Sequence, residues 1–446
     1  MARKRNGGRR ASRRRRSRRK TKRGCGFVRV VAYAFIPEGG KRRYRSWNSM
    51  FGLGLGRCVP VKWQPRVRRL LRPMAAYVLR TRLRGLSRPV SGPPHMSGCR
   101  VAILGLFCRR AGIGRGAKLL AKELETEGAF VTKIDVTDAL HLRRNQTCDD
   151  VSGLGVLTAM RFDVIVVHLN PPEFCHVRLK LPQAAIDHST VVGYFAWELD
   201  RVPASWHESV ACCNQVWVPS AFVAHSIARS FPEAHAKIRV REHRVELDKL
   251  PTRTVVARCA ARNRLGLRND SFVVLNSFSV ESNVARKNPL ATIQTFRKAM
   301  GSLKTPAELL VRCLDADACP DALSPLDLAA AGDPRIHLVR IGQETSEIED
   351  AYLAADIYVS LHRSEGFGLN LAEALALGLP VLATRWGLPD SITGHPNFIG
   401  VPSTLVPVID PQHMYDQVPD ARWAEADMVF AAAELRKRLP RTSCKI

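Results

Sequence analysis

Acidic residues are almost absent from the first 97 residues of this chain. That segment contains 29 Lys and Arg residues but a single acid, Glu38, so it carries +28 of the net charge of +29. The other residues hold 40 basic and 39 acidic side chains and are nearly neutral. Because so charged a segment has little apolar surface to bury, we expect residues 1–97 to form a disordered basic extension.

Long hydrophobic runs and paired cysteine motifs are also missing. No run reaches the ~18 apolar residues of a membrane-spanning helix. The 12 cysteines include no Cys-x-x-Cys pair, which argues against a structural zinc site or a disulfide framework and favours a reduced, cytoplasmic location. The chain of 446 residues is too long for one ordinary domain, and its 46% hydrophobic content is enough for real cores.

The extension has several interpretations. Its arginines would bind nucleic-acid phosphates without sequence preference, which is the least favoured role. Residues 74–86 mix apolar and basic positions and would suit an anionic membrane surface. Since Met96 stands just before the first predicted domain strand, the extension is alternatively not natural sequence. We expect a chain without residues 1–95 to remain a folded enzyme.

Two glutamates, Glu365 and Glu373, flank a glycine-rich turn and give the strongest functional signal. The apolar residues 356–361 before the turn indicate a buried strand, and helix formers follow it up to Gly378. Residues 381–384 indicate the next strand, so both acids belong to a strand, loop, helix, strand unit of a parallel sheet. Ligands of such sheets bind at the carboxyl ends of the strands.

The position of each acid in this unit predicts a different role. Glu365 lies beside loop amides which, with the helix dipole, form a site for a phosphate or a sugar oxygen. Glu373 lies roughly 6 Å further along the helix axis, at ~1.5 Å per residue, and can accept hydrogen bonds from hydroxyls. A nucleotide sugar fits this layout, and two solvated acids at a helix start are the alternative. The predicted donor-binding residues of this unit are Gly366, Phe367, Gly368, Leu369 and Glu373.

Strands and helices alternate along the rest of the chain, which predicts two Rossmann-like sheets. Residues 241–269 have a poor pattern and are interpreted as the connection between the two domains. The predicted strands are 101–104, 131–136, 164–168, 191–195, 216–218, 272–276 and 309–313, and the helices include 117–127 and 291–300.

Residues 363–384 resemble the Glu-x7-Glu signature of retaining nucleotide-sugar glycosyltransferases of family 4, which have the GT-B fold. Three further segments match in the same order. Residues 111–116 resemble the N-terminal glycine loop of the family, and residues 286–289 resemble its basic donor-phosphate motif. Tyr415 and residues 423–427 resemble the closing segment of bacterial members. The resemblance covers about residues 98 to 438, and the Glu-x7-Glu block is its specific part.

The resemblance implies an α/β GT-B architecture with two Rossmann-like domains facing across a cleft. The acceptor domain would span residues 98–250, and the donor domain with its closing helix would span residues 251–446. The implied reaction transfers a sugar from a nucleoside diphosphate to a hydroxyl acceptor, with retention of configuration and without a metal or other cofactor. The acceptor would be a saccharide or lipid-linked saccharide in cell-surface polysaccharide synthesis, at the inner face of the membrane.

The resemblance also assigns the catalytic residues. Glu365 would hold the donor sugar, while Lys287 and Arg286 would neutralise the leaving diphosphate. Many members carry another arginine several residues earlier, where this chain has Glu281 and Ser282. This difference weakens the expected binding of the diphosphate.

The N-terminal domain supplies the remaining candidates. Gly112 and Gly114 of its glycine loop are predicted to bind the donor. His168, at a predicted strand end, is a candidate on the acceptor side, with a structural histidine as the alternative. Many family members place a histidine near residues 197–198, where this chain has none, so Glu198 is a candidate acceptor-side base against a surface-loop alternative.

Other functions fit the same residues. A catalytically silent GT-B scaffold would bind nucleic acid or membrane through its tail, and a GT-B epimerase or phosphorylase would use the same fold. Residues 315–317 mimic the Asp-x-Asp metal motif of another glycosyltransferase fold. Because they follow a predicted strand inside the second domain, we interpret them as a loop without a metal.

Overall fold

The computed structural model describes residue 77 and residues 81–92, 95–245, 252–301, 303, 305–341 and 347–440. All of these residues belong to the unit Leu71–Ile446. Most of the predicted extension, and the predicted domain boundary at residue 250, lie outside the described residues. Within these ranges, every helix falls short of the length and apolar character needed to cross a membrane.

The N-terminal domain is built on a six-stranded parallel sheet in the order β2-β1-β3-β4-β5-β6. Its strands are β1 (Arg100–Gly105), β2 (Phe130–Asp135), β3 (Val164–Val167), β4 (Thr190–Tyr194), β5 (Gln215–Val218) and β6 (Ile238–Val240). Its helices are α1 (Gly112–Thr126), α2 (Val156–Ala159), α3 (Glu173–Arg178), α4 (Gln183–Asp187), α5 (His207–Ala211) and α6 (Ala221–Ser230).

Helices cover both faces of this sheet, as strand β1 shows. Val101 and Ile103 join the hydrophobic cluster on one face, whereas Ala102 and Leu104 join the cluster on the other. All four side chains are fully buried. A strand buried on both faces requires a continuous apolar run, and such runs made the strands of this domain predictable.

The C-terminal domain repeats this architecture with strand order β12-β11-β10-β7-β8-β9, again parallel. Its strands are β7 (Phe272–Ser279), β8 (Ala307–Leu314), β9 (Ile336–Ile341), β10 (Ile357–Ser360), β11 (Val381–Thr384) and β12 (Phe398–Val401). The antiparallel hairpin β13 (Ser403–Pro407) and β14 (Arg422–Ala426) follows. The helices are α7 (Val255–Arg264), α8 (Val284–Lys287), α9 (Pro289–Met300), α10 (Ser324–Ala330), α11 (Glu347–Ala354), α12 (Leu369–Ala376), α13 (Asp390–Thr393) and α14 (Met428–Lys437).

The predicted connection at residues 241–269 is wrong in part, because it contains α7. This helix belongs to the C-terminal domain, where the fully buried Arg262 pairs with Asp356 at 2.7 Å. The guanidinium also donates to the backbone carbonyls of Ala354 and Ser271, at 3.0 and 2.8 Å. An arginine therefore anchors the helix, which is why its sequence shows a poor apolar pattern.

Residues 81–92 pack on the N-terminal domain, although the predicted boundary places them in the extension. Leu83 is buried in the core cluster beside α3 and α5. The Arg88 side chain donates to Asn214 Oδ1 at 2.7 Å and to the Ser189 carbonyl at 3.1 Å. This stretch is therefore a structural part of the domain, and the boundary predicted at residue 97 is corrected there.

The segment between β13 and β14 crosses from the C-terminal domain to the N-terminal one. Tyr415 of this segment and Trp423 of β14 are buried in the core cluster of the N-terminal domain, and the Tyr415 ring lies 5.7 Å from that of Trp197. Helix α14 then returns to the C-terminal domain, where its side chains join the core beside α9. The chain therefore joins the two domains a second time through this crossing segment.

Candidate active site

The glycine-rich turn opens α12 as predicted, and its two glycines serve different purposes. Gly368 is the N-cap residue of α12 and has a φ of 94°, in the region that favours glycine. Gly366 is needed for close approach, because a Cβ there would lie 2.4 Å from the Trp197 carbonyl oxygen. The turn therefore contacts the N-terminal domain backbone to backbone.

Glu365 lies between two cations at the carboxyl ends of β7 and β10. The Lys287 ammonium contacts its Oε1, and Arg286 Nη1 lies 3.3 Å from its Oε2. Burial alone would raise the pKa of the Glu365 carboxyl, but Lys287 and Arg286 offset it and hold that pKa at about 2. The structure thus brings the three predicted catalytic residues together.

Arg286 is held rigidly by the backbone around it. Asn283 caps α8 by accepting from the Arg286 amide at 3.0 Å. The guanidinium donates to the carbonyls of Ser364 and Ser282, both at 2.8 Å, and lies 3.6 Å from Glu198. Burial would lower the pKa of Arg286, but nearby groups including Glu198 and Glu365 raise it overall. This side chain is therefore a fixed positive charge.

Lys287 is the less buried of the two cations, with its side chain 17% exposed. Burial lowers the pKa of its ammonium, and the Glu365 carboxylate opposes this effect. The lysine is thus the more responsive of the two cations to a change in local negative charge.

Glu373 lies on the second turn of α12 and is contacted from both domains. The Tyr352 hydroxyl donates to its Oε2 at 3.2 Å, and Arg115 of α1 pairs with its Oε1. The carboxylate is almost fully buried. Arg115 follows Gly114 in the glycine loop, so the N-terminus of α1 faces α12 across the cleft.

The two predicted glycines of that loop differ in their surroundings. Gly112 is the first residue of α1 and a Cβ there would contact nothing. A Cβ on Gly114 would lie 2.4 Å from the Leu106 carbonyl oxygen, so glycine is required for the loop to fold against β1. Their predicted contact with a donor stays a prediction.

His168 is buried beneath the cleft, at the end of β3. Its ring stacks on Tyr194 with centroids 4.2 Å apart, and neither ring nitrogen has a partner among the described residues. Burial lowers the pKa of His168 well below its ordinary value. The imidazole is therefore neutral, and its acceptor-side role stays a prediction.

His243 was missed by the sequence analysis, although it follows β6 at the carboxyl edge of the sheet. Its ring lies 5.1 Å from the ring of Phe367 in the glycine-rich turn of residues 365–368, which we call the donor turn. A Cβ on Gly116 would lie 2.8 Å from the His243 ring. Burial, with a smaller effect from Arg115, lowers the pKa of His243 to about 4. Its place after a parallel strand was the available signal, hidden because residues 241–269 were interpreted as a connection.

Glu198 contacts the C-terminal domain through both its backbone and its side chain. Its carbonyl accepts from the Ser364 hydroxyl, and its carboxylate lies 3.6 Å from Arg286. The side chain is 27% exposed, so it borders the cleft next to the basic motif.

Comparison with known proteins supports one family. Residues 292–420 match the model of the family described as glycosyl transferases group 1. The D-inositol 3-phosphate glycosyltransferase of Streptomyces avermitilis is 26% identical over 247 residues, 54% of this chain and 50% of that protein. The protein of the same name from Xylanimonas cellulosilytica is 29% identical over 238 residues, 52% and 53% of the two chains. The chain thus spans about half the length of these relatives.

Among solved structures, the catalytic domain of starch synthase IV from Arabidopsis thaliana, bound to ADP and acarbose, has the same fold. The two chains are 12% identical with a TM-score of 0.51, over 65% of this chain and 84% of that one. Together with the two parallel sheets, this similarity confirms the predicted GT-B fold class.

The two parallel sheets and the donor turn therefore define the chain as a protein of the GT-B fold. Within that class, residues 292–420, which contain the Glu-x7-Glu block, match the group 1 glycosyl transferases, the family that the resemblance of this block predicted.

Proposed function

We propose that the chain is a retaining glycosyltransferase that moves a sugar from a nucleoside diphosphate to a hydroxyl of a saccharide or lipid-linked saccharide. The observation that carries this proposal is the position of Glu365. It lies between Lys287 and Arg286 at the strand ends of the C-terminal sheet, directly before the N-terminus of α12. Such an edge of a parallel sheet is where ligands of α/β proteins bind.

The charges of the site suit a diphosphate leaving group. The buried Arg286 and the partly buried Lys287 place two cations beside the amides of the donor turn, and fixed positive charge stabilises negative charge that develops on a leaving oxygen. Because these side chains supply the charge, the proposed reaction uses no metal. Glu373 would accept hydrogen bonds from the ribose hydroxyls, and the loop of Gly112 and Gly114 would face the donor from the other domain.

Retention is implied by the family resemblance, and the surroundings of Glu365 bear on how a retaining reaction would proceed. A carboxylate whose pKa is about 2 and which contacts two cations is a weak base and a weak nucleophile. We therefore favour front-face attack, in which a leaving phosphate oxygen takes the proton of the acceptor hydroxyl. Glu198 borders the cleft and is better placed than the buried His168 to assist on the acceptor side.

The charge distribution along the chain supports a location at an anionic membrane surface. The +28 charge of residues 1–97 would attract anionic lipid headgroups, whereas the rest of the chain is nearly neutral. We propose a cytoplasmic enzyme that attaches peripherally to the inner face of the membrane, where lipid-linked acceptors of cell-surface polysaccharides are found. Nucleic acid is the less favoured partner.

The test is a panel of nucleotide sugars in thermal unfolding, followed by transfer assays with the one that binds. A donor should raise the unfolding temperature by mass action. Lys287→Ala should lower the transfer rate by about 100-fold, within the range of losing one transition-state contact. Lys298→Ala, an exposed lysine on α9, should leave it unchanged.

Three results would contradict the proposal. Unchanged transfer by Lys287→Ala would exclude the leaving-group role, and a product with inverted configuration would exclude retention. Conversion of the donor into an epimer without any transfer would identify an epimerase instead.

A further inference from the structure

A further charge pair joins the two domains next to the proposed donor site. Arg109 Nη2 lies 2.9 Å from both carboxylate oxygens of Glu281. Arg109 follows β1, and its backbone carbonyl packs against Gly114 of the glycine loop. Glu281 lies in the 3-10 turn Val280–Ser282, directly after β7. The pair therefore connects the glycine loop to the beginning of the basic motif.

This pair lies close to Arg286 and Lys287. Glu281 precedes Ser282, whose carbonyl accepts two hydrogen bonds from the Arg286 guanidinium, at 2.8 and 3.2 Å. The N-terminal domain thus brings the guanidinium of Arg109 to the same edge of the cleft where Arg286 and Lys287 lie. A ligand with two phosphates at this edge would face cations from both domains.

Arg109, Arg286 and Lys287 differ in how easily they can exchange one anionic partner for another. Arg286 is almost fully buried and held by backbone carbonyls, and Lys287 is 17% exposed and contacts the buried Glu365. The Glu281 side chain is 39% exposed and that of Arg109 is 19% exposed. Ion pairs open to water contribute little to stability, so Arg109 can exchange its partner at low cost.

We propose that Arg109 is a further ligand of the donor diphosphate and that Glu281 holds it in place before the donor binds. On binding, the guanidinium exchanges the Glu281 carboxylate for phosphate oxygens, which carry more charge and match its planar donors. This inference rests on the proposed function and deepens it. It adds a residue from the N-terminal domain that recognises the diphosphate only when the domains are closed.

The test uses the opposite effects that the two partners should have. Calorimetry on the full chain at physiological salt would measure the affinities for UDP, ADP and GDP. Whichever diphosphate the unmodified chain binds, Arg109→Gln should bind it about tenfold more weakly, because this variant lacks a cation. Glu281→Gln should bind it severalfold more tightly, because this variant lacks the competing acid. The double variant should resemble Arg109→Gln.

Matched controls come from an exposed ion pair elsewhere in the C-terminal domain. Arg268 Nη2 lies 2.8 Å from Asp270 Oδ2, and both side chains are more than 60% exposed. Arg268→Gln and Asp270→Asn change the net charge in the same way and should leave diphosphate affinity unchanged. The same unfolding temperature in all variants would show that the fold is intact.

The outcomes separate this inference from the proposed function. If both Arg109→Gln and Glu281→Gln weaken binding equally, the pair is only a clasp between domains and the inference fails. Unchanged affinity in Arg109→Gln would also overturn it, while leaving the donor class intact. If Glu281→Gln alone has no effect, Arg109 remains a ligand but the holding role of Glu281 fails. If none of the three diphosphates binds the unmodified chain, the proposed function fails and this inference fails with it.

Discussion

The Ser220 hydroxyl donates a 2.6 Å hydrogen bond to the backbone carbonyl of Gly366. The same oxygen caps α6 by accepting from the Val223 amide at 3.4 Å, the capping role expected of a serine before a helix. One side chain therefore starts a helix of the N-terminal domain and fixes the donor turn of the C-terminal domain. Because the Trp197 carbonyl also meets Gly366, the shape of this turn depends on the domains being closed.

This contact makes Gly366 sensitive to the smallest substitution. In Gly366→Ala the new Cβ would overlap the Trp197 carbonyl oxygen, so the turn must move away from the N-terminal domain. Since a displacement of about 1 Å in an active site can cost about 100-fold in rate, we expect transfer to fall by about that factor. Gly153→Ala, whose Cβ would meet nothing within 4 Å, is the control and should keep full activity. Wild-type rates from Gly366→Ala would show that the closed contact is unimportant.

The second prediction concerns the acid that we assign to the ribose. Glu373→Gln keeps the size of the side chain but removes its charge, so donor affinity should fall by about 1.5–3 kcal/mol, as expected for a hydrogen bond to a charged group. Calorimetry with the donor measures this directly. Tyr352→Phe keeps the carboxylate and removes the hydrogen bonds from the Tyr352 hydroxyl to Glu373 and to the Asn370 carbonyl, at 3.2 and 3.3 Å, so it should have a smaller effect. Equal donor affinity in Glu373→Gln and the unmodified chain would rule out the ribose assignment.

A feature of the fold could be predicted where its sequence signal lies within a few neighbouring residues. Strands such as β3 and β11 are continuous apolar runs, and the turn around Gly368 needs glycine for its own backbone, so both are visible within a few residues. Helix α7 was not predicted because the buried Arg262, paired with Asp356, occupies a core position where an apolar residue is expected.

Contacts between the domains were not predictable in the same way. Ser220 and Gly366 are 146 residues apart, and Arg109 and Glu281 are 172 apart. Each of these residues has an ordinary local role in a cap, a loop or a turn, so no nearby pattern indicates its partner. The resemblance to the glycosyltransferase family predicted that Glu365 and Lys287 share a site, and the structure places them in contact. The chain's own pairs across the cleft required the folded structure.

Buried neutral histidines should make stability depend on pH. Burial lowers the pKa of both His243 and His362 to about 4, and that of His168 further below its ordinary value. Unfolded histidine takes up a proton near pH 6.5 while these folded ones do not, so their stabilising effect is complete above pH 6.5. It is lost as the pH falls towards 4, at up to ~1.4 kcal/mol per pH unit for each histidine.

Urea unfolding between pH 7.5 and 4.5 tests this dependence. His243→Gln should reduce the slope of unfolding free energy against pH, since one titrating group is removed from the unfolded state. His235→Gln changes an exposed histidine and is the control that should keep the slope. A slope that His243→Gln leaves unchanged would mean that His243 is protonated in the folded protein.

The last prediction concerns where the folded part of the chain begins. Leu83 is buried in the N-terminal core, so Leu83→Ala should cost about 2–5 kcal/mol of unfolding free energy. Arg88→Ala removes hydrogen bonds to Asn214 and Ser189 and should cost about 1–3 kcal/mol. Arg84→Ala is the control, because that side chain is 68% exposed and its ion pair with Glu208 is long, at 3.9 Å.

The same contacts predict what truncation does. A chain lacking residues 1–95 loses both Leu83 and Arg88, so it should unfold at a lower temperature than a chain that keeps residues from 81 onward. The deletion also uncovers the Asn214 and Gln215 side chains, which donate to the backbone of residues 89–92. Each lost intramolecular hydrogen bond costs about 0.5–1.5 kcal/mol, so the loss should exceed that of Arg88→Ala alone. If the two truncated chains unfolded at the same temperature, residues 81–95 would contribute nothing and the boundary predicted at residue 97 would be correct.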